Sequence, residues 1–246
     1  MSRPTSKDEF ESYYRRDEIA SRYDEQRSRS LKHKIVRAIE KDFFCGHLPA
    51  AGTVLEIGVG TGEIASAVCQ TRPMVGIDTS PAMLHHAAER LAHAPVRLIE
   101  LSMFELDSLN EHFSMVYTSR VFLHLAPSDL AKMLTLCANR LEPGGVLLFD
   151  LQRPNLFKAV LDRLEPTKMF NFRYSRDAID RVISDEPRLK VLKVVALEHM
   201  LLLAAAALLP NTPRLGRLAE QLLRIDAGCA AIPWSANRWG VICERI

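Results

Sequence analysis

The chain lacks the features that mark a secreted protein. Its 246 residues include only five cysteines, at positions 45, 69, 137, 229 and 243, and no two of them form a CxxC pair. An odd and scattered set of cysteines predicts reduced thiols in an intracellular, cytoplasmic protein, without a disulfide framework or a zinc site. The N-terminal segment MSRPTSKDEFESYYRRDE carries too many charges for a secretory signal.

The sequence also lacks a long apolar run and a strong charge of either sign. The most apolar segment, residues 200–209, has ten apolar residues, which is too short for a membrane-spanning helix. The net charge is only +2, from 32 basic and 30 acidic residues, and it gives no support for nucleic acid as a partner. We therefore expect no nucleic-acid partner and no membrane span. A peripheral membrane contact remains compatible with the sequence, and the oligomeric state is left open.

What the chain does contain is a regular alternation of strand and helix patterns. Short apolar runs lie at residues 53–57, 74–77, 96–101, 113–118 and 145–151, and helical patterns separate them. One of these helices has a clear start, with Ser80 as the N-cap and Pro81 at the first helical position. The alternation predicts a single α/β domain over residues 1–246, with a mostly parallel sheet and helices on both faces.

The segments on either side of this alternation have their own patterns. Residues 1–48 are predicted to form an N-terminal helical cap, because Leu31, Ile35, Ile39 and Phe43 recur at four-residue spacing. The core is expected over 49–193 and 234–246, with a last strand near 238–245. Residues 194–233 are predicted to form a helical insertion, with helix expected over 197–224. This insertion is interpreted either as buried helical core or as an apolar lid over the substrate.

A glycine-rich turn follows the first predicted strand, in the sequence EIGVGTG at positions 56–62. Gly58 permits a tight turn, Gly60 lets a ligand approach the backbone, and Gly62 allows close helix packing. The second strand ends at Asp78, where a carboxylate can accept both hydroxyls of a ribose. The two features together indicate a site for an adenosine-type cofactor. The structural alternatives are an ordinary strand-to-helix turn and an aspartate that caps the following helix.

These motifs, together with FSMVYTSRVFLHL at 113–125 and LEPGGVLLFDL at 141–151, resemble class I S-adenosylmethionine-dependent methyltransferases. The resemblance covers roughly residues 50–152. It implies a Rossmann-like sheet of seven strands and S-adenosylmethionine as the cofactor. By this resemblance, Glu56 and Gly58 lie near the methionine end of the cofactor, Gly60 lies under its ribose, and Asp78 holds the ribose hydroxyls.

The resemblance also assigns residues to the adenine end of the cofactor and to the cap. Thr79 and Met83 would flank the adenine, and Tyr14 or Tyr23 of the N-terminal helix would close over the cofactor. Packing of that helix on the domain is the alternative role for both tyrosines. Ser102, followed by Met103, stands where family members often have aspartate to meet the adenine amino group. A serine hydroxyl can still accept this hydrogen bond, but it carries no charge.

Two polar residues follow the fourth predicted strand, at the end of the sheet where the acceptor should bind. Arg120 is predicted to pair either with the cofactor carboxylate or with an acid such as Glu56. His124 is predicted either as the catalytic base or as a structural hydrogen-bonding group. Methyl transfer from a sulfonium is an in-line displacement, so no metal site is expected.

The function predicted from the sequence is S-adenosylmethionine-dependent methyl transfer to a small-molecule acceptor. An apolar or lipid-linked acceptor is the sharper form of this prediction, because of the apolar insertion. A non-catalytic protein that keeps the fold as a binding or scaffold subunit is the alternative. A nicotinamide-dependent oxidoreductase is disfavoured, because the turn reads E-x-G-x-G-x-G and not G-x-G-x-x-G.

Overall fold

The computed structural model of the chain describes residues 17–28, 30–154, 171–199 and 236–246. The strands within these ranges are β1 (Val54–Ile57), β2 (Met74–Asp78), β3 (Val96–Glu100), β4 (Phe113–Thr118), β5 (Leu141–Gln152), β6 (Leu189–His199) and β7 (Ala236–Arg245). The α-helices are α1 (Asp17–Ser28), α2 (Leu31–Cys45), α3 (Ala65–Val68), α4 (Pro81–Arg90), α5 (Pro127–Arg140) and α6 (Arg176–Ser184). Two 3₁₀ turns lie at Met103–Ser108 and Phe122–His124.

The seven strands form one sheet in the order β3-β2-β1-β4-β5-β7-β6. Neighbouring strands from β3 to β5 are parallel, and β7 runs antiparallel to both β5 and β6. This topology confirms the predicted Rossmann-like, mostly parallel seven-stranded sheet. The strand order reverses at β1, which pairs with β2 on one side and β4 on the other. Ligands of open α/β sheets bind at such a switch point, beyond the carboxyl ends of the strands.

Helices cover both faces of the sheet, as predicted, and each face has its own hydrophobic core. On one face the buried side chains come from α2, α3, α4 and alternate strand positions; they include Leu31, Ile35, Ile39, Phe43, Val54, Ala87 and Met115. The four-residue stripe predicted on α2 is therefore its buried side. On the other face α5 and α6 pack on the sheet, with buried Leu55, Ile57, Leu130, Leu134 and Ile179.

The helix start predicted at Ser80 is confirmed. The Ser80 hydroxyl accepts a hydrogen bond from the Met83 N–H at 3.2 Å, and Pro81 occupies the first turn of α4. Ser80, rather than Asp78, thus provides the side-chain cap of this helix, which leaves the Asp78 carboxylate for other contacts.

The predicted start of the helical insertion is wrong. Residues 194–199 belong to β6, and they pair with β7 from Val194 opposite Val241 to His199 opposite Ala236. The β-branched and apolar residues of this segment suit a paired strand, and backbone pairing with β7 satisfies their polar groups. The described strand β7 also begins two residues earlier than expected. Residues 200–233 of the predicted insertion lie outside the described residues.

Three further sequence expectations concern thiols, membranes and metals. Cys45, Cys69, Cys137 and Cys243 are free thiols, and Cys229 lies outside the described residues. Within the described ranges, no helix is long and apolar enough to cross a membrane. In the same part of the chain, no group of three or more His, Cys, Asp or Glu side chains is arranged to hold a metal ion.

Candidate functional site

The glycine-rich turn connects the carboxyl end of β1 with α3 and has the expected tight backbone. Gly58, Gly60 and Gly62 have φ angles of 72°, 53° and 75°, in the left-handed region that favours glycine. A Cβ atom on Gly58 would lie 2.5 Å from Cγ2 of Val121, and one on Gly62 would lie 2.9 Å from Cδ1 of Leu91. These two glycines therefore let the turn pack against the segment after β4 and against the end of α4.

Gly60 differs from its two neighbours, because a Cβ atom at this position would meet no described atom within 4 Å. The space above the turn is therefore open at Gly60. Its N–H donates to Oδ2 of Asp78 at 2.9 Å, and the Ser80 N–H donates to Oδ1 at the same distance. Burial raises the pKa of Asp78, although these N–H groups act in the opposite direction. The aspartate at the end of β2 is thus fixed beside the open side of the turn.

Glu56 lies on β1, two residues before Gly58, and its side chain is buried. The hydroxyl of Tyr117, on the neighbouring strand β4, donates to Oε2 of Glu56 at 2.7 Å. Burial raises the pKa of Glu56 to about 8, and the hydrogen bond from Tyr117 opposes this increase. Tyr117 was not among the residues predicted from the sequence.

The residues predicted at the adenine end lie beyond β2 and β3. The Ser102 hydroxyl accepts a hydrogen bond from the Phe104 N–H at 3.3 Å and so caps the 3₁₀ turn that begins at Met103. Thr79 and Met103 are half-buried, whereas Met83 is buried. The structure gives Ser102 a local role as a cap, and the contacts of these residues with an adenine remain predictions.

Arg120 pairs with acids, as one of its two predicted roles required, but these acids are Glu40 and Glu198 and not Glu56. Nε of Arg120 donates to Oε1 of Glu40 on α2, and Nη2 donates to Oε1 of Glu198 on β6 at 2.8 Å. The backbone N–H of Arg120 donates to Oδ1 of Asp150 at 2.6 Å. Glu56 lies on β1 and is bonded to Tyr117 instead, so Arg120 takes its acidic partners from elements that only the folded chain brings together.

Sequence reasoning missed the residue at the centre of this arrangement, Arg238 of β7. Arg238 is 1% exposed. Nη1 donates to Oδ2 of Asp150, and Nη2 donates to Oε1 of Glu40 at 2.8 Å and to Oε1 of Glu198. We call Arg120, Arg238, Glu40, Asp150 and Glu198 the charge cluster. It joins α2, β5, β6, β7 and the segment after β4 at one end of the sheet.

The N-terminal helix α1 is attached to the glycine-rich turn through Asp24, another residue that the sequence did not single out. The Thr61 hydroxyl donates to Oδ1 of Asp24 at 2.8 Å, and Nη2 of Arg90 donates to Oδ2 at 2.6 Å. Tyr23 precedes Asp24 and is half-buried, so the helix of the predicted cap lies next to the turn. Tyr14 lies outside the described residues.

His124 ends the 3₁₀ turn that follows β4 and is half-buried. The backbone on either side of it is firmly held. Phe172 donates its N–H to the carbonyl of Leu123 at 2.8 Å, and the Tyr174 hydroxyl donates to the carbonyl of Leu125 at 2.6 Å. The structure thus fixes the position of His124 beyond the carboxyl end of β4, and its catalytic role remains a prediction.

Comparison with known proteins identifies the central part of the chain. Residues 54–145, which contain the turn, Asp78 and the segment after β4, match the family model described as a methyltransferase domain. By this match, residues 54–145 are a methyltransferase domain. Bacillus subtilis YqeM is 28% identical over 137 residues, 54% of this chain and 53% of that protein.

Malonyl-[acyl-carrier protein] O-methyltransferase of Priestia megaterium is 26% identical over 130 residues, 50% of this chain and 43% of that protein. The chain thus spans about half the length of these curated relatives.

Solved structures share the fold of this methyltransferase domain. Magnesium protoporphyrin IX methyltransferase from Synechocystis PCC 6803, with bound SAH, superposes with a TM-score of 0.65 at 13% identity, covering 98% of this chain and 100% of that chain. Geranyl diphosphate C-methyltransferase from Streptomyces coelicolor gives a TM-score of 0.58 at 15% identity, covering 85% and 76% of the two chains. At these identities the likeness concerns the fold.

Proposed function

We propose that the chain transfers a methyl group from S-adenosylmethionine to a small-molecule acceptor. The observation that carries this proposal is the open space at Gly60, with the fixed Asp78 carboxylate at its side. Each oxygen of Asp78 accepts one backbone N–H and keeps lone pairs for further hydrogen bonds. The carboxylate can therefore hold the ribose hydroxyls of a cofactor whose backbone contact is at Gly60.

The remaining cofactor contacts are proposed for residues around this pair. Glu56 and Gly58 are assigned to the methionine end, together with Arg120. Thr79, Met83, Ser102 and Met103 are assigned to the adenine end, and Tyr14 and Tyr23 to the cap over the cofactor. The bound sulfonium supplies the methyl group, so the task of the protein is to hold donor and acceptor in line.

We propose His124 as the base for an acceptor that must lose a proton. It lies beyond the end of β4 in a turn with fixed backbone, which suits a group that has to meet the acceptor at a defined position. A neutral imidazole accepts the proton as the methyl group transfers, and such a base contributes about 10²–10⁴-fold to the rate. A free amine as acceptor would not need it.

For the acceptor we propose a small and partly apolar molecule. The apolar run at 200–209 in the sequence supports this choice, and one protein of related fold is named for methylation of geranyl diphosphate. A molecule of this kind would be held mainly by apolar side chains, with a few polar groups that fix its orientation.

The proposal is tested by calorimetry with S-adenosylmethionine, its demethylated product S-adenosylhomocysteine, and NADH as the control ligand. We expect binding of the first two only. Asp78→Ala should weaken binding by about 1.5–3 kcal/mol, the usual contribution of hydrogen bonds to a charged group. Asp180→Ala, at an exposed ion pair on α6, is the matched control and should bind normally.

Unchanged affinity in a folded Asp78→Ala variant would contradict the ribose assignment. Binding of the cofactor without methyl transfer to any acceptor, including molecules that co-purify with the protein, would favour the scaffold alternative.

A further inference from the structure

Glu56 and Tyr117 face each other at the centre of the sheet. They are direct partners in the parallel register of β1 and β4, and their side chains lie on the face covered by α2 and α3. Both side chains are buried, and a single hydrogen bond of 2.7 Å joins the phenol to the carboxyl group. A carboxyl group at this depth favours its neutral form, because burial penalises the charged form.

The groups around Glu56 come from several elements. The charge of Arg37 on α2 and the N–H of Ala65 on α3 favour the carboxylate, whereas Asp78 at the end of β2 opposes it. The thiols of Cys45 and Cys69, whose pKa values are raised chiefly by burial, also face Glu56. With its pKa at about 8, the carboxyl group is mostly protonated at pH 7 in the ligand-free protein.

Tyr117 stays a hydrogen-bond donor over the whole working range of pH. Burial, together with the charge of Glu56, raises the pKa of Tyr117 well above its usual value. Its hydroxyl can therefore donate to the carboxylate, and this bond lowers the pKa of Glu56. A phenol that stabilises the charged form of a buried acid makes that acid easier to ionise when a cation arrives.

We propose that Tyr117 is a positioning residue for cofactor binding, which holds Glu56 so that its carboxyl group releases a proton when the cofactor ammonium group binds. The O–H bond of the acid breaks, the proton passes to solvent, and the carboxylate pairs with the ammonium group of the methionine part. The inference rests on the proposed function, because it takes S-adenosylmethionine as the ligand. Binding of the cofactor then depends on pH, and the Tyr117 hydroxyl sets the pH range over which the affinity changes.

The probe is S-adenosylhomocysteine, titrated by calorimetry at pH 7 in two buffers with different ionisation enthalpies. A nearby opposite charge lowers a carboxyl pKa by about 1–3 units, so binding should release about 0.4–0.9 proton. Over the pH range, the same linkage predicts binding about 5- to 50-fold tighter at pH 8 than at pH 6.

Tyr117→Phe should move the pH at which affinity is half-maximal upward and weaken binding at pH 7, because the variant loses a bond that lowers the Glu56 pKa. Tyr174→Phe is the matched control. It removes another buried phenol, whose hydroxyl donates to the carbonyl of Leu125 at 2.6 Å, and it should leave the pH profile unchanged. Glu56→Gln should abolish the proton release.

The outcomes separate the inference from the proposed function. Failure of the unmodified protein to bind S-adenosylhomocysteine at any pH would contradict the proposed function itself. Normal binding with equal pH profiles in the unmodified protein and Tyr117→Phe would overturn the role of Tyr117 alone. If Tyr117→Phe does not fold, proton release that persists in Glu56→Gln would overturn the inference.

Discussion

Arg120 and Glu198 form an ion pair, with 2.8 Å between Nη2 and Oε1, although both have left-handed backbone conformations. Their φ angles are 62° and 58°, and no other non-glycine residue in the described ranges has a positive φ. Such conformations cost of order 1–3 kcal/mol each, and they persist where surrounding contacts fix them. The charge cluster supplies these contacts, because Arg120 and Glu198 pair with each other and with other members of the cluster.

The backbone strain at Arg120 can be measured separately from its ion pairs. Both Arg120→Gly and Arg120→Ala lose the guanidinium, but glycine adopts a φ of 62° without a steric penalty. We expect Arg120→Gly to be more stable than Arg120→Ala by about 1 kcal/mol. Chemical denaturation of the two variants provides the comparison. An alanine variant as stable as the glycine variant would show that residue 120 stores no strain.

Removal of Arg238 should be strongly destabilising. Arg238→Met would leave the buried carboxylates of Glu40, Asp150 and Glu198 with Arg120 as their remaining partner in the charge cluster. Breaking a buried ion pair from one side costs about 3–5 kcal/mol. Arg97→Met, at the exposed pair with Glu111, is the control and should cost less than about 1 kcal/mol. Equal decreases in the free energy of unfolding of the two variants would show that the charge cluster contributes no more to stability than an exposed ion pair.

Gly60 offers a prediction with a closely matched control. Gly60 and Gly144 both have positive φ angles, and a Cβ atom on either would meet nothing within 4 Å. Substitution by alanine should therefore reduce the stability of both variants by a similar amount, about 1 kcal/mol. Only Gly60→Ala should lose affinity for S-adenosylhomocysteine in calorimetry. Normal affinity in that variant would place the cofactor elsewhere.

Glu56 should make the ligand-free protein less stable as the pH rises. Its pKa is about 8 in the folded chain, against an ordinary value of 4.5, so between these values the unfolded chain has lost a proton that the folded chain keeps. Stability therefore falls over this interval and levels off above it. Thermal denaturation from pH 5 to pH 8 should show a flatter dependence for Glu56→Gln. Parallel curves for both proteins would assign the pH effect to other groups.

The role of His124 as a base can be tested with a hydroxyl acceptor once one has been identified. His124→Ala should lower kcat by about 10²–10⁴-fold, because the acceptor then loses its proton without a base. The affinity for S-adenosylhomocysteine should stay the same. A decrease in turnover that follows entirely from a lowered Tm would give His124 a structural role instead.

The parts of the fold that follow from local patterns could be predicted from the sequence. Strands β1 to β4, the buried stripe of α2 and the Ser80 cap depend on spacing and capping within a few residues. The glycine-rich turn and Asp78 were also found, because each follows a strand end that the apolar runs mark. These signals are local, and so a single sequence contains them.

The charge cluster could not be predicted in the same way. Arg238 and Glu40 are 198 residues apart in sequence, and the pairing depends on which strand ends and helices the sheet topology brings together. The identity of the acids that pair with Arg120 and the start of the insertion could not be predicted for the same reason. Glu198 falls within the helix expected over 197–224, whereas pairing of β6 with β7 places it near the end of a strand.

Because of the position of β7, strand β6 can join the sheet only after β7 has been synthesised. β7 lies between β5 and β6, yet the ribosome makes it after both of them. Among the described strands, β6 pairs only with β7, so until residues 236–245 have emerged this strand of 11 residues is open to pairing with other chains. The last strand to be made is therefore inserted between two strands that already exist. A nascent chain that stalls before β7 should depend on chaperones far more than one that stalls before β6.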